Sequence, residues 1–431
     1  MTPLTASGAR RRFLVLTALR WLPVGLLIPV LVLLPLERGL SLSQLGLAVS
    51  TQGFVVLALE LPTGGLADSL GRRRVLLAAS VVGIASIGLL LTAESFAAFA
   101  AAYALQGVYR ALDSGPLEAW YVDAAQAADP DAAIDRGLSA HGVVLGVAVA
   151  GGALLGGGLV ALDPVPALDA LTVPVAASLA LQVVGLAGVA VLMVEHRTTS
   201  GARAAVRAAL DTPRTIADAF RLVRRSRVLL AVISVELFWG FGMICFEGLF
   251  PVRLTELVGD TDRAATITGP ASSAAWLASA AGAACIPLLT GRIGVAPSAA
   301  LMRILQGIAV VGMGVFGGVV GVVSAYLVCY AVHGAANPAH MTLLHRQVDG
   351  SVRATAVSLN SMVGQPAGAL GIIALTALAD NTSVSLAMYV GAAVLAVAAP
   401  LYIPAWRQER RTRRQSAVDE AASRGLGHLP A

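Results

Sequence analysis

Long apolar runs separated by short polar breaks dominate the sequence. Twelve such runs are bounded by turn residues and charges. An α-helix needs about 20 apolar residues to cross the hydrocarbon layer of a bilayer, so each run predicts a membrane span. The narrowest break is Gly317–Gly318, between the ninth and tenth spans. The predicted spans are 13–36, 42–63, 73–93, 97–121, 137–161, 167–194, 228–252, 264–288, 297–315, 317–343, 354–379 and 384–406.

Composition agrees with this pattern. The chain has 431 residues, of which 57% are hydrophobic and 13% charged, with a mean hydropathy of +0.79. A soluble domain carries about 25% charged residues, so the composition excludes a globular enzyme and predicts an all-α integral membrane protein. The first run, after Arg10–Arg12, is too long for a signal peptide and predicts an uncleaved first span.

The arginines indicate orientation. All 30 basic residues are Arg, and 24 of them fall in segments on the face that carries both termini. Three lie in loops on the opposite face (Arg38, Arg253 and Arg263). Because positive residues are retained on the cytoplasmic side, both termini are predicted to be cytoplasmic. The net charge of +5 therefore reflects membrane topology and does not indicate a nucleic-acid partner.

The chain divides into two similar halves. Residues 1–194 and 228–406 each hold six spans, and 407–431 form a tail. The intervening linker, 195–227, predicts an amphipathic helix on the inner leaflet. Gly291–Gly294 follows the eighth span as Asp68–Gly71 follows the second. This repeat suggests parallel halves related by an axis along the membrane normal.

The loop after the second span carries the most specific motif. Its sequence from Gly64 to Arg74, with the spacing G-x-x-x-D-x-x-G-R-R, resembles the loop signature of major facilitator superfamily transporters. The resemblance covers about residues 10–406. It implies twelve transmembrane helices in two pseudo-symmetric six-helix bundles, working as a monomer by alternating access in a bacterial inner membrane.

The resemblance also implies a conformational latch of the outward-facing form. In that family the motif Asp contacts the start of the eleventh span, and the motif Arg pairs with an acid at the cytoplasmic end of the fourth. The corresponding residues here are Gly64, Asp68, Gly71, Arg72 and, as the acid, Asp123. Ser69 replaces the usual Arg, which removes one contact. The alternative is that the loop is a topology anchor only.

Charges inside spans mark candidate functional residues, because a charge near the bilayer centre costs roughly 3 kcal/mol or more. Arg110 and Asp113 lie one turn apart in the fourth span and are expected to pair. They predict either a cavity site for protons or substrate, or a structural pair. Glu236 in the seventh span has no basic neighbour on its own helix, which predicts a solitary buried carboxylate that exchanges protons or a hydrated one.

Other positions predict the cavity wall. Arg20 either extends to the inner surface or faces the cavity, since the first, fourth, seventh and tenth spans line it in the resembling family. Glu247 is expected to be hydrated near the outer end of the seventh span. Aromatic and polar positions are further candidates for contact with substrate, against the alternative of lipid contact or helix packing. They are Trp239, Met243, Asn337 and Gln365.

The expected function is proton-coupled export of amphipathic small molecules, resembling drug:proton antiporters. The fourth-span signature of proton-coupled members is incomplete, since Gln106-Gly107 precede Arg110 instead of following it. Alternatives are an importer or metabolite carrier, with Arg110 binding an anion, and a non-transporting receptor. No cofactor is expected: a chain without Lys has no phosphate-binding G-x-x-x-x-G-K-[ST] loop, and the three Cys lie in apolar runs.

Overall fold

The computed structural model describes residues 4–194, 221, 224, 226–348 and 353–426, without the side chains of 60–62, 64–66, 68, 69, 353–355 and 417–426. The amphipathic helix predicted in the linker 195–227 lies almost entirely outside these residues. Within them the chain forms twelve helical spans in two sets of six, which confirms the predicted fold class. Spans one to six of the first half are Ala6–Leu27 with Leu33–Glu37, Leu42–Leu70, Arg72–Thr92, Phe96–Asp113 with Pro116–Ala128, Ile134–Leu162, and Thr172–Leu192. Spans seven to twelve of the second half are Arg227–Gly242 with Ile244–Glu247 and Leu249–Val258, Thr261–Ile293, Val295–Val315, Val319–His345, Arg353–Asn381, and Val384–Val397. The twelfth continues through Ala399–Tyr402 to Ile403–Leu426.

Polar residues before the apolar runs start several of these helices. At each of these positions a side-chain oxygen accepts a hydrogen bond from a backbone N–H of the first turn, which the helix itself leaves without a partner. At Ser41 the Gln44 side chain completes a capping box. The side-chain caps are Thr5, Ser41, Ser95, Ser226, Asp260 and Ser383.

Three spans predicted as single runs are interrupted helices. The first is interrupted between Leu27 and Leu33. The fourth breaks at Gly115, whose φ of 92° is left-handed, and restarts with Pro116 in its first turn. The seventh is interrupted at Met243 and again at Gly248. Pro251 explains this second break, because it has no N–H to bond the carbonyl of Glu247 one turn earlier.

Within the described residues, ten of the twelve spans contain a stretch long and apolar enough to cross a membrane. The other two are the first and fourth, which carry Arg20, Arg110 and Asp113. Their weaker apolar character and their charges therefore coincide, as expected for spans that face an aqueous space instead of lipid.

The buried side chains show how the two halves meet. We call the face that carries both chain ends the terminal face. Near it, each half has its own buried cluster, with Phe13 and Trp120 in the first half and Val232 and Tyr402 in the second. Near the opposite face a single cluster joins both halves, and includes Leu33 and Phe250. In the part of the chain described, the halves thus share a core only near the opposite face, and the space between them is open toward the terminal face.

Close backbone approach and one hydrogen bond hold the closed side. A Cβ built on Gly157 of the fifth span would lie 2.9 Å from the Cα of Gly269 of the eighth, so these backbones touch. At the other seam, between the second and eleventh spans, the Ser43 hydroxyl donates to Asp380 at 2.7 Å. Both seams lie in the half of the molecule away from the terminal face.

The repeat predicted from Gly71 and Gly294 is visible in the backbone. Gly71 has φ 95° and ψ 135°, and Gly294 has φ 100° and ψ 165°. Each is the one residue between two long helices at the terminal face. L-amino acids with a Cβ rarely adopt this region, so both turns require glycine.

We expect Gly71→Ala and Gly294→Ala each to destabilise the protein by about 1–3 kcal/mol, because alanine is strained at these φ values. Thermal unfolding of the purified protein in detergent measures the loss. Gly291→Ala is the matched control, since Gly291 lies in the preceding helix with open space around it. Equal melting temperatures for all three variants would contradict this account of the turns.

Candidate functional site

A cavity of about 550 Å³ lies between the halves. The first four spans supply most of its wall, and the seventh and eleventh each contribute one polar side chain, Glu247 and Gln365. Apolar residues of the first span, including Val24 and Ile28, line one side. The polar lining residues are Arg20, Gln52, Ser86, Gln106, Tyr109, Arg110, Asp113, Ser114, Glu247 and Gln365.

An ion pair between the first and fourth spans is the most buried charged contact of this wall. The Arg20 guanidinium contacts the Asp113 carboxylate and also donates to the Asp113 carbonyl oxygen at 3.1 Å. The two side chains are 17% and 8% exposed. The sequence predicted Arg110 as the partner of Asp113, and that pairing is wrong. An arginine on the facing helix reaches the carboxylate, and Arg20 lies in the cavity wall instead of at the inner surface.

A chain of polar contacts continues from this pair toward the terminal face. Arg20 Nη1 lies 3.6 Å from Glu118 Oε1, and His141 Nε2 of the fifth span lies 3.4 Å from the same oxygen. The other His141 nitrogen, Nδ1, is 3.0 Å from the Thr17 hydroxyl. Glu118 Oε2 is buried without a hydrogen-bond partner. Four titratable or charged groups therefore form one connected network along the first half.

The predicted substrate-contact residues separate into two groups. Arg110 is exposed and lines the cavity. Gln365 is half-buried and also lines the cavity. Trp239, Met243 and Asn337 do not line it. Trp239 instead stacks on His333, with ring centroids 5.6 Å apart. The hydrophobic pattern does not distinguish an aromatic side chain facing a neighbouring helix from one facing the cavity, so sequence could not separate these cases.

Glu236 is buried inside the second half and is not solitary. Its Oε1 lies 3.2 Å from His340 Nε2, and this nitrogen also lies 3.0 Å from Asn360 Oδ1. Two acceptors at Nε2 call for a proton on that nitrogen, and Nδ1 lies 2.9 Å from the Tyr402 hydroxyl. The expectation of an isolated carboxylate was wrong because its partners come from other spans. Glu236 is absent from the cavity wall.

Glu247 is a cavity residue that the sequence placed near the outer end of its span. It is exposed to the cavity, and its Oε1 accepts a hydrogen bond of 2.6 Å from the Tyr330 hydroxyl. The available signal was Pro251 four residues later, which predicts a helix break beside a polar residue. No group of three or more His, Cys, Asp or Glu side chains in the described part is arranged to hold a metal ion.

At the terminal face the loop motif brings two predicted residues together. Arg72 forms an ion pair with Asp123 and donates to the Ala119 carbonyl at 2.6 Å. Asp123 is 65% exposed, so this pair lies in water and not in the core. Gly71 forms the turn immediately before Arg72. The backbones of Gly64 and Asp68 are helical, and the side chain of Asp68 is outside the described part.

Two six-span bundles around a charged cavity define a membrane transporter of the two-bundle class. Residues 13–371 match the family profile described as Major Facilitator Superfamily. The chain belongs to the major facilitator superfamily and is therefore a multi-pass transporter of small molecules and not an enzyme. Among curated proteins no relative matches by sequence.

Solved structures of transporters share the fold at low sequence identity. One is a mutant form of the nucleoside transporter NupG, at 15% identity and a TM-score of 0.75, covering 92% of this chain and 99% of that one. Another is a bacterial homologue of the human lysosomal transporter Spinster, inward-facing and unoccupied (14%, TM-score 0.71, 94% and 98%). A third comes from a study of proton-dependent oligopeptide transporters (14%, TM-score 0.70, 94% and 100%).

The burial of the Arg20–Asp113 pair predicts a strong energetic coupling between the two residues. Removing either partner leaves a buried charge without compensation, so Arg20→Gln and Asp113→Asn should each cost about 3–5 kcal/mol, and the double variant should recover part of this. A double-mutant cycle on unfolding in detergent measures the coupling.

The exposed Arg72–Asp123 pair provides the control for that cycle. Its coupling should be about 1 kcal/mol or less, because solvent screens it. A coupling at Arg20–Asp113 no larger than at Arg72–Asp123 would contradict the importance of the buried pair.

Proposed function

We propose that this protein is a secondary active transporter that exports amphipathic small molecules in exchange for protons. The observation that carries the proposal is the Arg20–Asp113 pair in the wall of a cavity between two halves whose cores join on one face only. Such a molecule changes state when the shared contacts move from one face to the other. This is alternating access by rocking of two bundles.

The arginine distribution supports the orientation that we propose. By sequence, 24 of the 30 arginines fall in the segments assigned to the side of the terminal face, which supports a cytoplasmic position for that face in a bacterial plasma membrane. In this orientation the described state would be open to the cytoplasm. A cavity loaded from the cytoplasm suits export. We further propose that the transporter works as a monomer, since each chain contains a whole cavity.

The ion pair supports proton coupling at Asp113. Protonation of this carboxylate ends the ion pair and leaves the Arg20 guanidinium to find another partner, such as Glu118 or cargo. An unpaired Arg20 guanidinium is costly in this environment. Protonation of Asp113 and binding of cargo would therefore favour different conformational states of the transporter. Glu236, with His340 beside it, is the second candidate for a proton site.

The cavity lining supports an amphipathic cargo. Leu27, Ile28 and Leu90 form apolar wall close to the polar groups of the fourth span. The solved neighbours carry nucleosides or peptides by their titles, and this diversity does not select one cargo for this chain. An importer of anionic molecules is the alternative, and the exposure of Arg110 to the cavity is the observation in its favour.

We also propose that Arg72 and Asp123 serve the latch implied by the loop motif, together with Gly64, Asp68 and Gly71. Their pair is already formed in the state open toward the terminal face, so it would support the latch without being confined to the outward-facing form. The contact between Arg72 and Asp123 joins the start of the third span to the end of the fourth. It would therefore stiffen the terminal face of the first half, so that this half moves as one body.

Everted membrane vesicles test direction and coupling together. We expect an acidic lumen to drive accumulation of amphipathic dyes, because protons then leave as cargo enters the lumen. Asp113→Asn mimics a permanently protonated carboxylate. It should abolish accumulation that depends on the pH gradient while retaining exchange of dye across the membrane at equal pH. Fluorescence of the dye inside and outside the vesicles gives both quantities.

Glu236→Gln is the comparison variant for that experiment. Loss of the gradient dependence in Glu236→Gln but not in Asp113→Asn would move the proton site to the second half. Accumulation that is indifferent to the pH gradient in the unaltered protein would refute proton coupling. Release of preloaded anions from the lumen, which is the import direction in everted vesicles, would favour the alternative function if a gradient drives it.

A further inference from the structure

Glu247 lies at a break in the seventh span, where that span meets the cavity. A short helix, Ile244–Glu247, ends at this residue, and the next begins at Leu249. Its side chain is exposed although the nearby Phe246 and Leu249 are buried. Interrupted helices near the middle of transporters place polar groups against a ligand. The break thus directs one carboxylate into the cavity from the second half.

The Glu247 carboxyl group differs in its contacts from the other carboxyl group of the cavity wall. In the described part of the chain no basic side chain lies within ion-pair distance of it. Its one polar side-chain contact there is the Tyr330 hydroxyl, 2.6 Å from Oε1, which leaves Oε2 available. Asp113 on the facing half differs, because Arg20 compensates it. A carboxylate at this depth strongly favours a cation beside it.

The surroundings of Glu247 are aromatic. Tyr330 packs edge to face on Phe246, with centroids 5.5 Å apart, and Phe246 and His333 are 5.8 Å apart. The cluster also contains two buried nitrogens without a hydrogen-bond partner, Trp239 Nε1 and His333 Nδ1. None of these four rings lines the cavity, so they enclose the carboxyl group from the protein side and leave the cavity as the side from which a ligand reaches it.

We propose that Glu247 is the recognition site for the positively charged group of an organic cation, with its apolar body against the first span. Tyr330 positions the carboxylate by donating to Oε1, and Oε2 contacts the ammonium group. This inference rests on the proposed function and specifies its cargo as amines or quaternary ammonium compounds. Neutral and anionic molecules lack the charge that Glu247 requires.

A binding experiment on the purified full-length protein in detergent tests this assignment. The probe is benzyltrimethylammonium, and its neutral isostere is neopentylbenzene, which replaces the charged nitrogen by carbon. We expect the protein to bind the cation at least tenfold more tightly than the isostere, because the charge-assisted contact is available only to the cation. Glu247→Gln should remove this preference, and Glu247→Asp should retain part of it.

Glu256→Gln is the matched control. Glu256 lies on the same span at its outer end, pairs with Arg253 at 2.8 Å and does not line the cavity. It should bind both probes as the unaltered protein does. Equal binding of cation and isostere by the unaltered protein, or an unchanged preference in Glu247→Gln, overturns the inference. The comparison of cation and isostere on the unaltered protein needs no variant. It therefore tests the proposal even if Glu247→Gln misfolds.

Exchange of labelled probes across proteoliposomes separates failure of this inference from failure of the proposed function. Exchange of neutral or anionic probes that is undiminished in Glu247→Gln shows a working transporter with a different cargo, and overturns only the inference. Tight, Glu247-dependent binding of the cation without exchange of any probe supports the site and contradicts transport. Cation exchange lost in Glu247→Gln and kept in Glu256→Gln supports both.

Discussion

The structure depends on one constraint: a charge inside an apolar bilayer needs either an opposite charge or an aqueous surface. The two halves satisfy it differently. The first half places Arg20 against Asp113 in the cavity wall and extends the network through Glu118 to His141. The second half buries Glu236 with His340, away from the cavity. Bundles with the same fold and a shared repeat have thus diverged: the first half pairs its cavity carboxyl group with Arg20, whereas the second half encloses Glu236 and presents Glu247 to the cavity.

The helical architecture was predictable because it follows from local properties. The length of each apolar run, the arginine distribution and the glycines at 71 and 294 depend on neighbours along the chain. The break at Gly317–Gly318 was correctly placed for the same reason, since one helix ends at Val315 and the next begins at Val319. The interruptions within the first, fourth and seventh spans were missed, although Gly115 and Pro251 mark those in the fourth and seventh.

The sequence identified residues of the site, but it did not identify which residues contact each other across helices. Arg20, Arg110, Asp113 and Gln365 line the cavity, but the partner of Asp113 lies 93 positions away and that of Glu236 104 positions away. A single sequence reports spacing along one helix, and it does not report which face of a helix meets which neighbour. Trp239 shows the same limit, because stacking on His333 depends on the rotation of two spans about their axes.

The contact between Gly157 and Gly269 has a consequence for motion. Two helices that meet through large side chains pack ridges into grooves. Tilting one helix against the other then requires those side chains to leave their grooves. Glycines present smooth backbone instead, so the fifth and eighth spans can roll over each other at that point with little steric resistance. The absence of side chains at Gly157 and Gly269 allows the close backbone contact and makes this contact a pivot point. The pivot stays in place while the two ends of the fifth and eighth spans move relative to each other.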